Sequence, residues 1–223
     1  MGDDFDEVAE TLREPGMGTE HVAGLLTSLV LLTRPRLVVE VGAGYTTPHL
    51  LRALAQSATE RRRDAELVRA VGALDAAAAA RRDLLVPHRV CDPDDPVLVT
   101  IDDLSDDGSS ARRVAAAAAG LDLSPFLRIL TRDFRGAAAG IHAEFGPPDL
   151  VWFDAGGAVD AADLLAEYWP VMRPGGLVVL HGTQWTIPVT VAGPDGPVGA
   201  GGPRAGGGGR HVRRQQCDCG VGG

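Results

Sequence analysis

Hydrophobic residues in this chain recur in two patterns. Short unbroken runs alternate with longer stretches in which apolar positions lie three and four residues apart. The cleanest run is 37–41, Leu-Val-Val-Glu-Val, bounded by Pro35 and Gly42, and it predicts a central strand covered on both faces. Residues 97–101, 126–130, 150–153 and 177–180 predict four more strands. Helical spacing fills the intervals, over 109–119, about 135–145, and 159–172. Ahead of the first strand, Thr19 offers an N-cap, and Val22, Leu25, Leu26, Leu29 and Leu32 make one apolar face. Behind it, Thr47 and Pro48 read as the N-cap and first residue of a helix that continues through Leu50, Leu51 and Leu54. Strands and helices in alternation mean right-handed βαβ units. The predicted class is therefore α/β, a doubly wound, mainly parallel sheet with helices on both faces.

Three segments depart from this rhythm. Residues 1–17 are acidic, with Pro15-Gly16 near their end, and read as a flexible arm ahead of a folded domain at 18–186. Residues 58–85 are charged and alanine-rich, with Leu67, Val71, Leu74 and Ala78 spaced 4, 3 and 4 apart. They predict an inserted amphipathic helix, either a solvated surface helix or a cover on the substrate side. Residues 187–223 are rich in glycine, with no leucine after Leu180 and no Phe, Tyr or Trp after Trp185. Such a tail buries too little apolar surface to offset its ordering entropy, so disorder is expected.

Composition narrows the function. A chain of 223 residues with 45% hydrophobic content suits one domain with a sizeable core. The net charge of −9 argues against nucleic acid as a partner, since phosphate contacts need clustered cations. No stretch reaches the roughly 20 apolar residues that span a bilayer, and the acidic first residues lack the parts of a signal peptide. A cytoplasmic location is the expectation. Cys91 stands alone, and Cys217 and Cys219 sit in the tail, a weak metal site at best. Every basic residue is arginine and asparagine is absent, which fits a GC-rich bacterial coding bias.

Candidate chemistry begins where the first strand ends. Glu40 is followed by Gly42-Ala43-Gly44-Tyr45-Thr46-Thr47, a glycine turn into a helix, where backbone without side chains can approach a ligand closely. A nicotinamide site would place a third glycine at Thr47 and an acid about 20 residues on. Here the next strand-end acids are Asp102 and Asp103. Later come Arg132-Asp133-Phe134 after the third strand, Asp154-Ala155-Gly156 after the fourth, Arg173-Pro174-Gly175-Gly176 before the fifth, and His181 directly after it.

Taken in order, over roughly residues 19–183, these segments resemble the class I S-adenosylmethionine-dependent methyltransferases, with their Rossmann-like fold. The resemblance implies S-adenosylmethionine as cofactor. Glu40, Gly42, Gly44, Tyr45 and Thr46 then belong to the family's first motif, where carboxylates favour the cofactor's ammonium and sulfonium. Asp102 or Asp103 would accept hydrogen bonds from both ribose hydroxyls. Asp133 would meet the adenine amino group, Phe134 would pack its ring, and Asp154 would face the reacting end. His181 can act as general base on a small-molecule methyl acceptor. Metal-dependent relatives carry an Asp-Asn pair where this chain has His181-Gly182, which implies a metal-independent reaction. Each residue also has a plainer reading: glycines that permit a tight turn, acids that cap the next helix, a strand-end histidine satisfied by backbone. The family's sheet closes with two further strands for which 184–223 has little apolar content beyond 187–191. The alternative is thus a non-catalytic or truncated relative that keeps the nucleoside crevice.

Overall fold

Five aliphatic runs become five parallel strands: β1 (Leu37–Val41), β2 (Val97–Asp102), β3 (Leu127–Thr131), β4 (Leu150–Phe153) and β5 (Leu177–Leu180). The computed structural model describes residues 3–15, 18–74, 95–105, 107–156, 158–182, 192–193 and 196–197. The chain divides into a unit at Met1–Thr186 and a second at Ile187–Gly223. In the first unit the strand order is β3-β2-β1-β4-β5, so β1 lies between β2 and β4. Val41 pairs with Ile101 on one side and Phe153 on the other. Succession reverses at β1, and such a switch point opens a crevice beyond the strand ends.

Alternate residues of each strand feed two cores. Val38, Leu98, Leu150 and Trp152 face α2 (Ala23–Thr33), α3 (Thr46–Leu74) and α4 (Ala111–Gly120). Val39, Val41, Ile101 and Phe153 face α5 (Ala138–Phe145) and α6 (Ala158–Tyr168). Asp149 locks the lower end of the sheet: its Oδ2 accepts from the backbone N–H of Arg36 at 2.8 Å and of Leu37 at 3.2 Å, and Arg173 Nε lies 2.7 Å from its Oδ1.

Several expectations need correction. The N-terminal segment is not a loose arm: Asp3–Glu10 form helix α1, and Phe5, Ala9 and, just past its end, Leu12 are buried. Their spacing of 4 and 3 puts them on one helical face, and Phe5 packs edge-on against His49 with ring centroids 5.1 Å apart. Ahead of α2, Thr19–His21 form a 3-10 turn, and Thr19 makes no side-chain cap. The buried residues of α2 are Ala23, Leu26 and Val30, whereas Leu25 and Leu32 are 54% and 81% exposed. A helix apolar on every side does not declare which face it buries.

The segment at 58–85 begins as the continuation of α3, which runs unbroken for 29 residues, and its Leu67 is exposed. Arg61 is buried in its middle and donates to the carbonyls of Arg34 and Pro35, tying the helix to the entry of β1. Residues 75–85, Cys91, Cys217 and Cys219 lie outside the described residues. Of 187–223, the described part is a two-stranded antiparallel pair, Ala192–Gly193 with Gly196–Pro197. β5 forms one edge of the five-stranded sheet, and all four of its residues are half-buried. No described helix is long and apolar enough to cross a membrane.

A docked N-terminal helix has a measurable cost of removal. Leu12→Ala is expected to lower unfolding free energy by about 3 kcal/mol in urea denaturation, as for other fully buried leucines. A loose arm would give a change within about 0.5 kcal/mol.

Candidate functional site

The site is built around the turn that leaves β1. Gly42 has φ of +93°, and a Cβ there would lie 2.5 Å from the carbonyl oxygen of Asp154. A Cβ on Gly44 would lie 2.9 Å from Ser110 Oγ. Gly42 therefore excludes larger residues, by backbone contact and by backbone conformation, whereas a side chain at Gly44 would require the Ser110 hydroxyl to move.

Glu40 explains how the turn is held. Its side chain has no access to solvent, and Thr46 Oγ1 donates to its Oε1 at 2.6 Å while Thr47 Oγ1 donates to its Oε2 at 2.7 Å. The N–H of Gly44 donates back to Thr47 Oγ1 at 3.0 Å, and Trp152 Nε1 donates to Thr46 Oγ1 at 3.2 Å. Thr47 is thus spent on the turn, and the helix starts at Thr46, two residues earlier than a Thr47 N-cap would have it. Burial pushes the Glu40 carboxyl up to about 7, against the opposing hydrogen bonds from Thr46 and Thr47. Glu40 and Thr46 were expected to touch a cofactor; they are packed behind the crevice wall and hold its shape instead.

The crevice has two adjoining halves that share Gly42, Asp102, Asp103, Ser105, Ala155 and Gly156. One half lies over β2 and β3, with Asp133, Phe134 and Arg135 in its wall. Phe134 packs edge-on against Phe153 at 5.6 Å, and the Tyr168 hydroxyl donates to its carbonyl at 3.1 Å. The Arg135 guanidinium sits 4.6 Å over the Phe134 ring and contacts Asp160 at 2.5 Å, Asp163 at 2.9 Å and Asp133 at 3.4 Å. Asp102 is pinned by two backbone donors, Ala43 N–H at 3.2 Å and Leu104 N–H at 2.8 Å. Hydrogen bonds from Ser105 hold the Asp103 carboxyl below its ordinary range.

The other half lies over the glycine turn, with Gly44, Tyr45 and Asp154 in its wall. His181 is not in the lining. It stands behind Asp154, its Nδ1 2.7 Å from Asp154 Oδ1 and its ring 5.8 Å from that of Trp152. Its other nitrogen faces Gly18, since a Cβ added there would lie 3.7 Å from Nε2. Burial raises the Asp154 carboxyl, and the bond to His181 opposes that shift. Tertiary structure also contributes Leu12, Glu14 and Thr19 from the N-terminal segment, together with Ser110, none of them expected from the sequence. Glu14 Oε1 accepts from the N–H of Ser110 at 2.6 Å, which joins that segment to the start of α4. The signal that could have found them is the spacing of Phe5, Ala9 and Leu12, in a segment whose acidity and Pro15-Gly16 read as a flexible arm. Among the described residues no group of three His, Cys, Asp or Glu converges as a metal site.

An open parallel sheet with a glycine turn and acid-lined crevice at its switch point defines a nucleoside-binding α/β class. Residues 39–183 match the family described as methyltransferase domain, and the chain belongs to that family. Two solved structures share the fold. The O-methyltransferase TomG from Streptomyces achromogenes, involved in tomaymycin synthesis and in complex with SAM, is 18% identical, with 81% of this chain and 65% of that chain covered and a TM-score of 0.50. The O-methyltransferase from Bacillus cereus, in complex with SAH, is 17% identical, with 81% and 66% covered and a TM-score of 0.51. The chain thus spans about two thirds of the length of each. No curated protein matches it.

The buried acid yields a pH prediction. The folded state binds the Glu40 proton more tightly than the unfolded chain, whose pKa is near 4.5, so this group's contribution is complete below 4.5 and is lost as pH rises to about 7. Glu40→Gln does not titrate. Its stability relative to the parent should therefore rise by roughly 3 kcal/mol between pH 4.5 and 8 in urea denaturation, whereas Glu40→Ala should be destabilised throughout. A pH-independent difference for the glutamine variant would refute the buried-acid account.

Proposed function

We propose that this chain transfers a methyl group from S-adenosylmethionine to a small-molecule acceptor without a metal ion. One observation carries the reading: a glycine turn clamped by a buried acid opens into a crevice whose opposite wall presents two adjacent aspartates. The residues fit the cofactor. Gly42 and Gly44 leave backbone bare at the crevice floor, and the N–H groups at the start of α3 suit a carboxylate. Asp102 and Asp103 offer paired acceptors for two ribose hydroxyls. Phe134 gives an apolar wall for the adenine, with Asp133 beside it for the amino group. Asp154, at the other end of the crevice, suits the positively charged sulfonium side.

When bound, S-adenosylmethionine supplies an electrophilic methyl group. The protein's part is to hold the acceptor in line with that group, since alignment itself can provide much of the rate, and to receive the acceptor's proton. Asp154, which lines the crevice, is the proton acceptor in this reading. His181 stands behind it with Nδ1 2.7 Å from Asp154 Oδ1, and there it orients the carboxylate. A second reading, a relative that keeps the crevice without turnover, is favoured by the half-buried β5 edge.

Calorimetry with S-adenosylhomocysteine separates the readings from any unrelated function. Binding is expected in the parent chain, with loss in Gly42→Ala and Gly44→Val, and a penalty of about 1.5–3 kcal/mol in Asp102→Ala or Asp103→Ala, the scale of a charged hydrogen-bond acceptor. No binding by a folded parent sample sinks the proposal.

For the residue behind the proton acceptor, His181→Ala is expected to lower kcat about a hundredfold while leaving cofactor affinity nearly unchanged. Turnover should also persist in EDTA. Normal kcat in His181→Ala would return that histidine to a structural role, and binding without turnover in the parent would favour the second reading.

A further inference from the structure

The two halves of the crevice differ from a neutral pocket in one respect, the sign of their charge. Among the described lining residues, the half over the glycine turn holds Glu14, Asp102, Asp103 and Asp154 and no arginine. The neighbouring half adds Asp133 and Asp160 against Arg132 and Arg135. Arg135 is already held by Asp133, Asp160 and Asp163. Of the arginines on neighbouring segments, Arg13 pairs with Glu10 at 2.9 Å, and Arg112 donates to the Leu104 carbonyl at 3.0 Å. The cofactor, with one ammonium, one sulfonium and one carboxylate, brings a net charge of +1. That offsets a single one of these carboxylates, so the space left for an acceptor remains negative.

Glu14 is the member of this set that no cofactor contact explains. It reaches the cavity from the N-terminal segment and is fixed there by the Ser110 N–H. On the methyl-transfer reading, on which this rests, we propose that the crevice selects neutral or cationic acceptors, of the hydroxylated-amine class. It rejects phosphate and carboxylate acceptors, and Glu14 is a specificity-determining residue. An anionic acceptor would meet like charge in a partly water-excluded site, where repulsion is not screened as it is on an open surface. A cationic one gains the same field in its favour.

Three phenols of matched size test this: tyramine, 4-ethylphenol and 4-hydroxyphenylacetate, which are cationic, neutral and anionic. Their dissociation constants would be measured by NMR on the full chain saturated with S-adenosylhomocysteine, at low and high salt. Tyramine is expected to bind at least about tenfold more tightly than 4-hydroxyphenylacetate, with 4-ethylphenol between them and the spread narrowing in salt. Glu14→Gln keeps an acceptor for the Ser110 N–H but removes the charge, and it should shrink the tyramine preference severalfold. The proposal is overturned if the anion binds as well as tyramine, if tyramine does not bind, or if Glu14→Gln leaves the ratio unchanged. Calorimetry on the same sample reports S-adenosylhomocysteine binding separately. Should that fail, the methyl-transfer reading falls, and the order of the three phenols on the unliganded chain still decides the charge preference.

Discussion

At the carboxyl end of β1 a glutamate with no route to water grips two threonine hydroxyls from the first turn of α3. Each oxygen of Glu40 has its own donor, and both donors are at hydrogen-bond distances of a charged or strongly polarised pair. An unpartnered carboxyl in that position would cost several kcal/mol, so the threonines cannot drift away from it. Their grip fixes where α3 begins, and with it the path of Gly42, Ala43 and Gly44. The same network reaches β4 through the Trp152 indole on Thr46. Strand, turn, helix and the neighbouring strand are therefore one polar unit inside an apolar core, and the crevice floor is its outer surface.

Everything in front of that floor is assembled from segments far apart in the chain. Asp102 arrives as the last residue of β2 with Asp103 directly after it, Asp133 and Phe134 on the turn after β3, and Asp154 on the turn after β4. The sheet order brings their ends together on either side of β1. The N-terminal segment then closes one side, through the buried face of α1 and the Glu14 contact with Ser110. The two halves acquire different characters as a result. One has an aromatic wall and a neutralised guanidinium. The other has acids, hydroxyls and bare backbone, next to the Asp154–His181 pair.

The strand runs were legible in the amino-acid sequence, most cleanly for β1 and β4, because a strand buried on both faces must be apolar along its whole length. Four of the five strands begin where the runs begin; β3 starts a residue later, at Leu127, behind a 3-10 turn at Ser124–Phe126. Part of the crevice lining was legible too, since glycines and acids at strand ends carry their own chemical signature. Glu40 was visible as a special residue but not in its actual role, for burial and hydrogen-bond partners are not local properties. The buried face of α2 was hidden for the opposite reason: an all-apolar helix offers no contrast to read.

What the sequence by itself determined is thus the class of fold and the turn chemistry, which rest on patterns local to each segment, whereas the switch point came only with the order of the strands. Tertiary structure alone decided which groups meet. Glu14 and Ser110 are 96 positions apart and Asp154 and His181 are 27 apart, and nothing in the spacing of either pair announces the contact. It also decided the charge of the crevice, because an electrostatic field is a sum over groups that converge in space, and that sum exists only once the sheet has ordered the strands and α1 has docked.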